Sequence, residues 1–96
     1  MSVSDIDPIT HLAEYTSFTG GKDLQAIYAA ATGRPPRPAR TIRVVSKGSG
    51  GLVLTMLGSA AAITLTGLVD NEDLPVGQYL TIVQAGSTVS KIRVGW

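Results

Sequence analysis

The alternation of apolar and polar positions is strongest in the second half of the chain, where it predicts β-strands. Between residues 62 and 68, for example, Ile63 and Leu65 alternate with Thr64 and Thr66, which is the period of a strand with one buried face. The predicted strands are 41–47, 52–57, 62–68, 79–84 and 89–94, and the interval 68–76 has room for one more short strand. Because Gly/Ser-rich turns separate these segments, we predict an all-β fold, a small antiparallel β-sandwich or barrel of five or six strands.

One short amphipathic helix is predicted at residues 23–32, before the strands. Its apolar face follows the i, i+3, i+4, i+7 spacing of a helix, with Leu24, Ile27, Tyr28 and Ala31. Asp23 is suited to cap its start, and Gly33 is suited to the left-handed position after its end. A helix of roughly nine residues is not stable alone, so we expect it to pack against the strands.

These elements divide the chain into an N-terminal arm (1–22), the helix with a Pro-rich connector (23–39) and a β-domain (40–96). The arm shows little periodicity and ends at Gly20 and Gly21. Two interpretations remain open for it: a loose terminus, or an arm that becomes ordered on a neighbouring subunit. In the second case the arm would bury Ile6, Ile9, Leu12, Tyr15 and Phe18.

The predicted strand at 52–57 is apolar on both faces, with Val53 and Leu57 on the face opposite Leu52, Leu54 and Met56. In a two-layer domain of this size, one face of each sheet is expected to meet water. Either the helix covers the second face, or another subunit does. Two interpretations are also open for Trp96: its side chain fills the core of its own domain, or it contacts a neighbouring subunit. We therefore count Val53, Leu57 and Trp96, with the five arm residues, as candidate oligomer contacts.

Composition excludes several classes of protein. Hydrophobic residues make up 44% of the 96 residues and charged residues 16%, against roughly 25% charged in an average domain, which argues against a disordered tail. The absence of cysteine excludes disulfides and thiolate metal sites within the chain. The sequence has no signal-peptide pattern and no continuous apolar span, so we expect synthesis in the cytoplasm and no membrane partner.

The residues that usually carry catalysis are missing or isolated. His11 is the single histidine and lies in the weakly patterned arm, where a catalytic base would not be held rigidly. The acidic run 70–73 lacks the spacing of a calcium loop, and the glycines of 48–51 lead into a predicted strand rather than a helix. We therefore expect no enzyme activity, no cofactor and no metal.

Residues 22–47 carry six basic residues and one acidic residue, a local charge of 6 − 1 = +5. This charge supports an alternative function, a small β-barrel that binds single-stranded nucleic acid by stacking bases on aromatic side chains. The predicted strands offer only Tyr79 and the terminal Trp96 for such stacking. Nucleic acid is therefore the less favoured partner.

From Arg40 to Trp96 the sequence resembles the small β-rich capsid decoration proteins of tailed phages, in particular the head-spike base proteins of gene transfer agents. The similarity begins with a strand entry of alanine, arginine and apolar residues at 39–44. It continues through a glycine turn at 48–51, a strand end at Gly58, and Ile63, Thr64 and Leu65. It closes with the segment 74–77, the turn 86–88 and the strand residues 92–94. Residues 1–33 lie outside the resemblance.

The resemblance implies a virion structural protein on the outer capsid surface, a capsid decoration or cement protein that stabilises the shell. Its partners would be the major capsid protein and copies of itself, as a homotrimer, or as a homopentamer at vertices that carry a fibre protein. A tail or fibre-base component is a related alternative. Since arginine pairs well with carboxylates, we expect the capsid contacts to be made by Arg34, Arg37, Arg40 and Arg43.

Overall fold

The computed structural model describes residues 9–59 and 61–96, which form a mostly β structure with one short helix. The elements are β1 (Leu12–Tyr15), β2 (Lys22–Asp23), α1 (Leu24–Thr32), β3 (Thr41–Ser46), β4 (Leu52–Met56), β5 (Ile63–Leu65), β6 (Glu72–Asp73), β7 (Tyr79–Val83) and β8 (Lys91–Gly95).

The strands form two four-stranded sheets in which every pairing is antiparallel. Sheet one has the order β1-β8-β3-β6, and sheet two has the order β2-β7-β4-β5. Each sheet ends in two edge strands, so the sheets do not close into a barrel. The predicted all-β class with one short helix is confirmed. The barrel alternative is wrong, and so is the count of five or six strands, because eight strands occur in the described residues.

The five strands expected from apolar–polar alternation are confirmed as β3, β4, β5, β7 and β8, each within a few residues of its predicted bounds. The predicted space for another short strand between 68 and 76 contains β6. Inward-facing residues of β3 and β8 are fully buried, as Ile42 and Val94 illustrate at 1% and 0% exposure. Burial of these alternating aliphatic side chains between the sheets is what stabilises the strands.

Helix α1 begins and ends as its sequence predicts. The Asp23 carboxylate accepts a hydrogen bond from the Ala26 N–H at 3.2 Å, and Gly33 has φ 70° and donates its N–H to the Ala29 carbonyl at 2.9 Å. Leu24 and Tyr28 are buried, and the helix packs against β7. Docking on sheet two therefore stabilises a helix that is too short to persist alone.

Residues 9–22 are integrated into the fold of their own chain. β1 pairs with β8, with Glu14 opposite Arg93, and β2 pairs with β7. Phe18 lies in the hydrophobic core at 6% exposure. This corrects the expectation that the segment is loose or ordered only on a neighbouring subunit, since its backbone completes both sheets. Ile6 lies outside the described residues.

The C-terminal Trp96 fills the core of its own domain. Its side chain is 0% exposed, and its indole N–H donates to the Leu24 carbonyl at 2.9 Å. The indole ring lies 6.2 Å from the Tyr28 ring and 5.3 Å from the His11 ring. The expectation that Trp96 contacts a neighbouring subunit is therefore corrected, because no part of its surface remains available.

Candidate functional site

The predicted oligomer contacts divide into exposed and buried residues. Leu12 and Leu57 are each 60% exposed, whereas Ile9 and Tyr15 are half-buried. Phe18 and Trp96 belong to the core and leave no surface for a partner. Among the predicted oligomer contacts that the structure describes, Leu12 and Leu57 are thus the most exposed.

Val53 is also buried, because a turn that the sequence pattern does not indicate covers it. It is 8% exposed on the outer side of β4, where the turn through Gly86 and Ser87 covers it. The Ser87 hydroxyl accepts a hydrogen bond from the Val53 N–H at 3.0 Å, and a Cβ placed on Gly86 would lie 2.8 Å from a Val53 methyl. The second apolar face of β4 is therefore covered here by a turn of the same chain, which corrects Val53 as an oligomer contact.

A row of charged side chains crosses the outer face of sheet one. The strand register aligns Glu14, Arg93, Arg43 and Asp73 on β1, β8, β3 and β6. Arg93 donates to the Glu14 carboxylate at 2.8 and 3.1 Å, and Arg43 donates to Asp73 at 3.1 and 3.2 Å. The two adjacent arginines are thus each neutralised by a carboxylate on an edge strand. Arg43, one of the four predicted capsid contacts, already has an acidic partner.

Acid is expected to weaken this row at Glu14. The hydrogen bond from Arg93 lowers the pKa of the Glu14 carboxyl below its usual value near 4.5, and Lys91 at 3.6 Å acts in the same direction. A group with a depressed pKa in the folded state contributes stability above its unfolded pKa and loses it as the pH falls through the folded value. Glu14→Gln should therefore make the melting temperature less dependent on pH below about pH 4.5.

The measurement is the melting temperature of both proteins at a series of pH values from neutral to acidic. Asp70→Asn is the matched control, because the Asp70 carboxylate accepts the Lys47 N–H at 2.8 Å rather than pairing with an arginine. If Glu14→Gln leaves the slope unchanged, the ion pairs of Glu14 do not contribute to acid sensitivity.

The arginines of the Pro-rich connector differ from those of sheet one in having no carboxylate partner among the described residues. Arg34, Arg37 and Arg40 form no salt bridge with any carboxylate of residues 9–59 and 61–96. The Arg37 guanidinium lies 5.0 Å from the centre of the Tyr28 ring, a cation–π arrangement. Burial raises the pKa of the Tyr28 hydroxyl. Hydrogen bonding with Arg34 and the charge of Arg37 oppose this effect, and the pKa lies below its usual value.

Both ends of the connector are fixed in the fold. Gly33 closes helix α1, and Ala39 exchanges two backbone hydrogen bonds with Tyr79 at 2.8 and 2.9 Å. The Arg40 N–H donates to the Gly95 carbonyl at 2.7 Å, and its carbonyl accepts from Gly77 at 3.0 Å. The connector therefore joins sheet one and sheet two and holds its arginines on an anchored backbone.

An apolar cavity of about 380 Å³ opens between β5 and β6, where the two sheets are not joined by a strand. Most of its lining is aliphatic or aromatic, including Met56, Ile63, Leu65, Leu68, Leu74 and Tyr79. Sequence reasoning missed this cavity because Ile63 and Leu65 alternate with threonines as they would if they were fully buried. The structure shows them half-buried instead.

The described residues offer little for metal or nucleic-acid chemistry. In residues 9–59 and 61–96, no group of three His, Cys, Asp or Glu side chains is arranged to hold a metal ion. The two aromatic residues considered for base stacking, Tyr79 and Trp96, are 3% and 0% exposed, so their rings cannot meet a base. No helix in the described residues has the length and hydropathy needed to cross a membrane.

Comparisons with protein-family models, with curated proteins and with solved structures find no match to this chain. Three surfaces of the described residues are therefore candidates for function. These are the charged row on sheet one, the connector arginines on their anchored backbone, and the apolar cavity beside β5.

Proposed function

We propose that this chain is a virion structural protein that decorates the outer surface of a capsid and stabilises the shell by binding, without catalysis, to the major capsid protein. The resemblance of residues 40–96 to capsid decoration and head-spike base proteins supports this proposal. In the same proposal the two sheets form a β-sandwich, and copies of the chain assemble around symmetry positions of the particle as a homotrimer or homopentamer, with a fibre protein as a further partner at vertices.

The observation that carries the proposal is the difference between two groups of arginines. Arg43 and Arg93 are paired with carboxylates of their own chain. Arg34, Arg37 and Arg40 have no such partner among the described residues and lie on a backbone anchored at both ends. A guanidinium that has no carboxylate partner among residues 9–59 and 61–96, on a fixed backbone, can form bidentate contacts with a carboxylate of another protein at a small entropic cost.

Repetition converts these contacts into stabilisation of a shell. Each exposed ion pair contributes little by itself, but a capsid presents the same acidic surface many times, and linked copies bind with high avidity. A protein bound across the boundary between capsomers must be released before the capsomers separate. The connector arginines would thus raise the resistance of the particle to heat and to loss of its genome.

Replacing Arg34 and Arg37 with alanine is expected to weaken binding to the capsid at least tenfold, because two charge-assisted contacts per copy are lost. The measurement is co-sedimentation of purified protein with particles from the strain that encodes the chain, across a range of protein concentrations. Lys22→Ala with Lys47→Ala is the control, since it removes the same charge from other positions.

Two outcomes would contradict the proposal. One is equal loss of binding in both double variants, which would mean that only net charge matters. The other is no binding of the unmodified protein to the particles. Tight binding to single-stranded DNA that falls steeply with salt and is lost in Arg34→Ala with Arg37→Ala would instead support the nucleic-acid alternative.

A further inference from the structure

The two sheets together have four edge strands, and three of the four carry charge. β1 contains Glu14, and the two-residue strands β2 and β6 consist of charged residues only. Charge on an edge strand opposes pairing with a strand of another molecule. β5 is different, because no charged residue and no proline occurs from Leu57 to Val69. This edge therefore lacks the charged residues and prolines that oppose strand addition.

The backbone of β5 is paired on one side only. Leu65, Thr64 and Ile63 lie opposite Leu52, Val53 and Leu54 of β4. On its other side, no strand in the described part of the chain pairs with it. Backbone N–H and C=O groups require partners, so this side of β5 is open either to water or to another strand.

We propose that β5 pairs antiparallel with β5 of a second copy of this chain, across a two-fold axis at Thr64, so that sheet two continues from one copy into the other. This inference concerns the free protein in solution. It goes beyond the proposed function, whose trimer or pentamer forms on the particle, and it does not depend on capsid binding. The sequence of β5 selects the second copy as the occupant. Ile63, Thr64 and Leu65 read as apolar, polar, apolar in both directions, which is the self-complementarity that an isologous interface needs.

The same pattern fixes the register. With Thr64 on the axis, Ile63 of one copy faces Leu65 of the other, and the two Thr64 side chains face each other on the outer surface. A shift by one residue would place Thr64 opposite an inward-facing aliphatic residue. Matching faces therefore favour the register centred on Thr64, in which all three residues of β5 are paired.

The cavity beside β5 gives this pairing an apolar contact as well as a backbone one. Ile63 and Leu65 line the cavity and are half-buried in the isolated chain. Pairing would set the two cavities side by side and remove these side chains from water.

Charge substitutions at Thr64 test the pairing and its register together. Thr64 is exposed, so Thr64→Lys and Thr64→Glu should both fold. We expect the unmodified protein to show twice the chain mass of 10.0 kDa in light scattering, and each variant alone to show the chain mass, because like charges face each other on the axis. An equimolar mixture of the two variants should recover the doubled mass.

A cysteine variant tests the same geometry without charge. The chain contains no cysteine, so Thr64→Cys carries a single thiol that the axis would place opposite its own copy. Opposite Cβ atoms in an antiparallel pair lie about 4.5–5.5 Å apart, and a small backbone adjustment brings them to the separation of a disulfide. Mild oxidation should therefore yield a covalent dimer. Thr16→Lys and Thr16→Cys are the matched controls at an exposed position beside β1; the first should keep the doubled mass and the second should not cross-link.

Several outcomes would overturn the inference. These are a chain-mass species for the unmodified protein at about 100 µM, a doubled mass that persists in Thr64→Lys alone, a mixture that fails to recover it, or equal cross-linking at positions 64 and 16. A mass of three or five chains would also overturn it. Because particle binding is measured separately with the arginine variants, failure of β5 pairing leaves the proposed capsid role to its own test.

Discussion

Trp96→Ala should lower the free energy of unfolding by about 3–5 kcal/mol, the cost usual for removing a large buried aromatic side chain. The indole is 0% exposed and packs beside Tyr28 and His11, so its loss leaves a cavity where the C-terminus closes the core. Since small domains are stable by only about 5–15 kcal/mol, this loss would remove a large part of the total stability. Urea denaturation followed by circular dichroism provides the measurement.

Trp96→Phe separates the hydrogen bond of Trp96 from its packing. Phenylalanine retains an aromatic ring in the core but has no N–H to donate to the Leu24 carbonyl. We expect a smaller loss of about 1–2 kcal/mol, since one buried hydrogen bond is removed and part of the volume is kept. Equal destabilisation by both substitutions would show that the hydrogen bond, and not the packing, dominates the contribution of Trp96.

Gly48→Ala is the second substitution with a large expected effect, about 2–5 kcal/mol, from a left-handed backbone and a steric clash together. Gly48 has φ 52°, and a Cβ at this position would lie 2.5 Å from the Thr88 carbonyl oxygen and 2.6 Å from the Ser90 hydroxyl. The turn after β3 would have to move away from the segment that leads into β8. Thermal unfolding of the variant measures the loss.

Gly20→Ala is the matched control for this clash. Gly20 has φ 76°, similar to the backbone of Gly48, but a Cβ there meets no atom within 4 Å. We expect a cost of about 1–2 kcal/mol, from the left-handed conformation alone. If the two alanine variants lose equal stability, the close approach of Gly48 to residues 88 and 90 has no energetic consequence.

Substitutions in the connector arginines and in β5 are expected to affect different measurements. Loss of Arg34 and Arg37 should reduce capsid binding and leave the mass of the free protein unchanged. Thr64→Lys should change the mass of the free protein, and its effect on capsid binding then shows whether paired copies are what bind the particle. The two sets of variants therefore distinguish contact with a shell from contact between copies.

Elements with a local signal were predictable from the sequence. Helix α1 has its apolar spacing, its Asp23 cap and its Gly33 terminator within 11 consecutive residues, and the strands β3, β4, β5, β7 and β8 each alternate over a few residues. β1 and β2 gave no such signal. β2 has only two residues, and β1 is held by pairing with β8, as in the contact between Glu14 and Arg93, which lie 79 positions apart.

The candidate surfaces depended still more on long-range contacts. Which arginines are free was decided by where sheet one placed carboxylates, since Arg43 meets Asp73 across β3 and β6 whereas the connector meets none in the described residues. The uncharged composition of β5 could be read directly, but its position at an open edge beside a cavity could not.

The all-β class, the helix with its ends, and most strand positions could be predicted from local patterns, because periodicity and capping act over a few neighbouring residues. The burial of Phe18 and Trp96 in their own chain and the covering of Val53 by a turn became evident only in the folded structure. The edge position of β5 also became evident only there. These facts follow from contacts between residues far apart in the chain, whose free energy depends on the complete packing of both sheets.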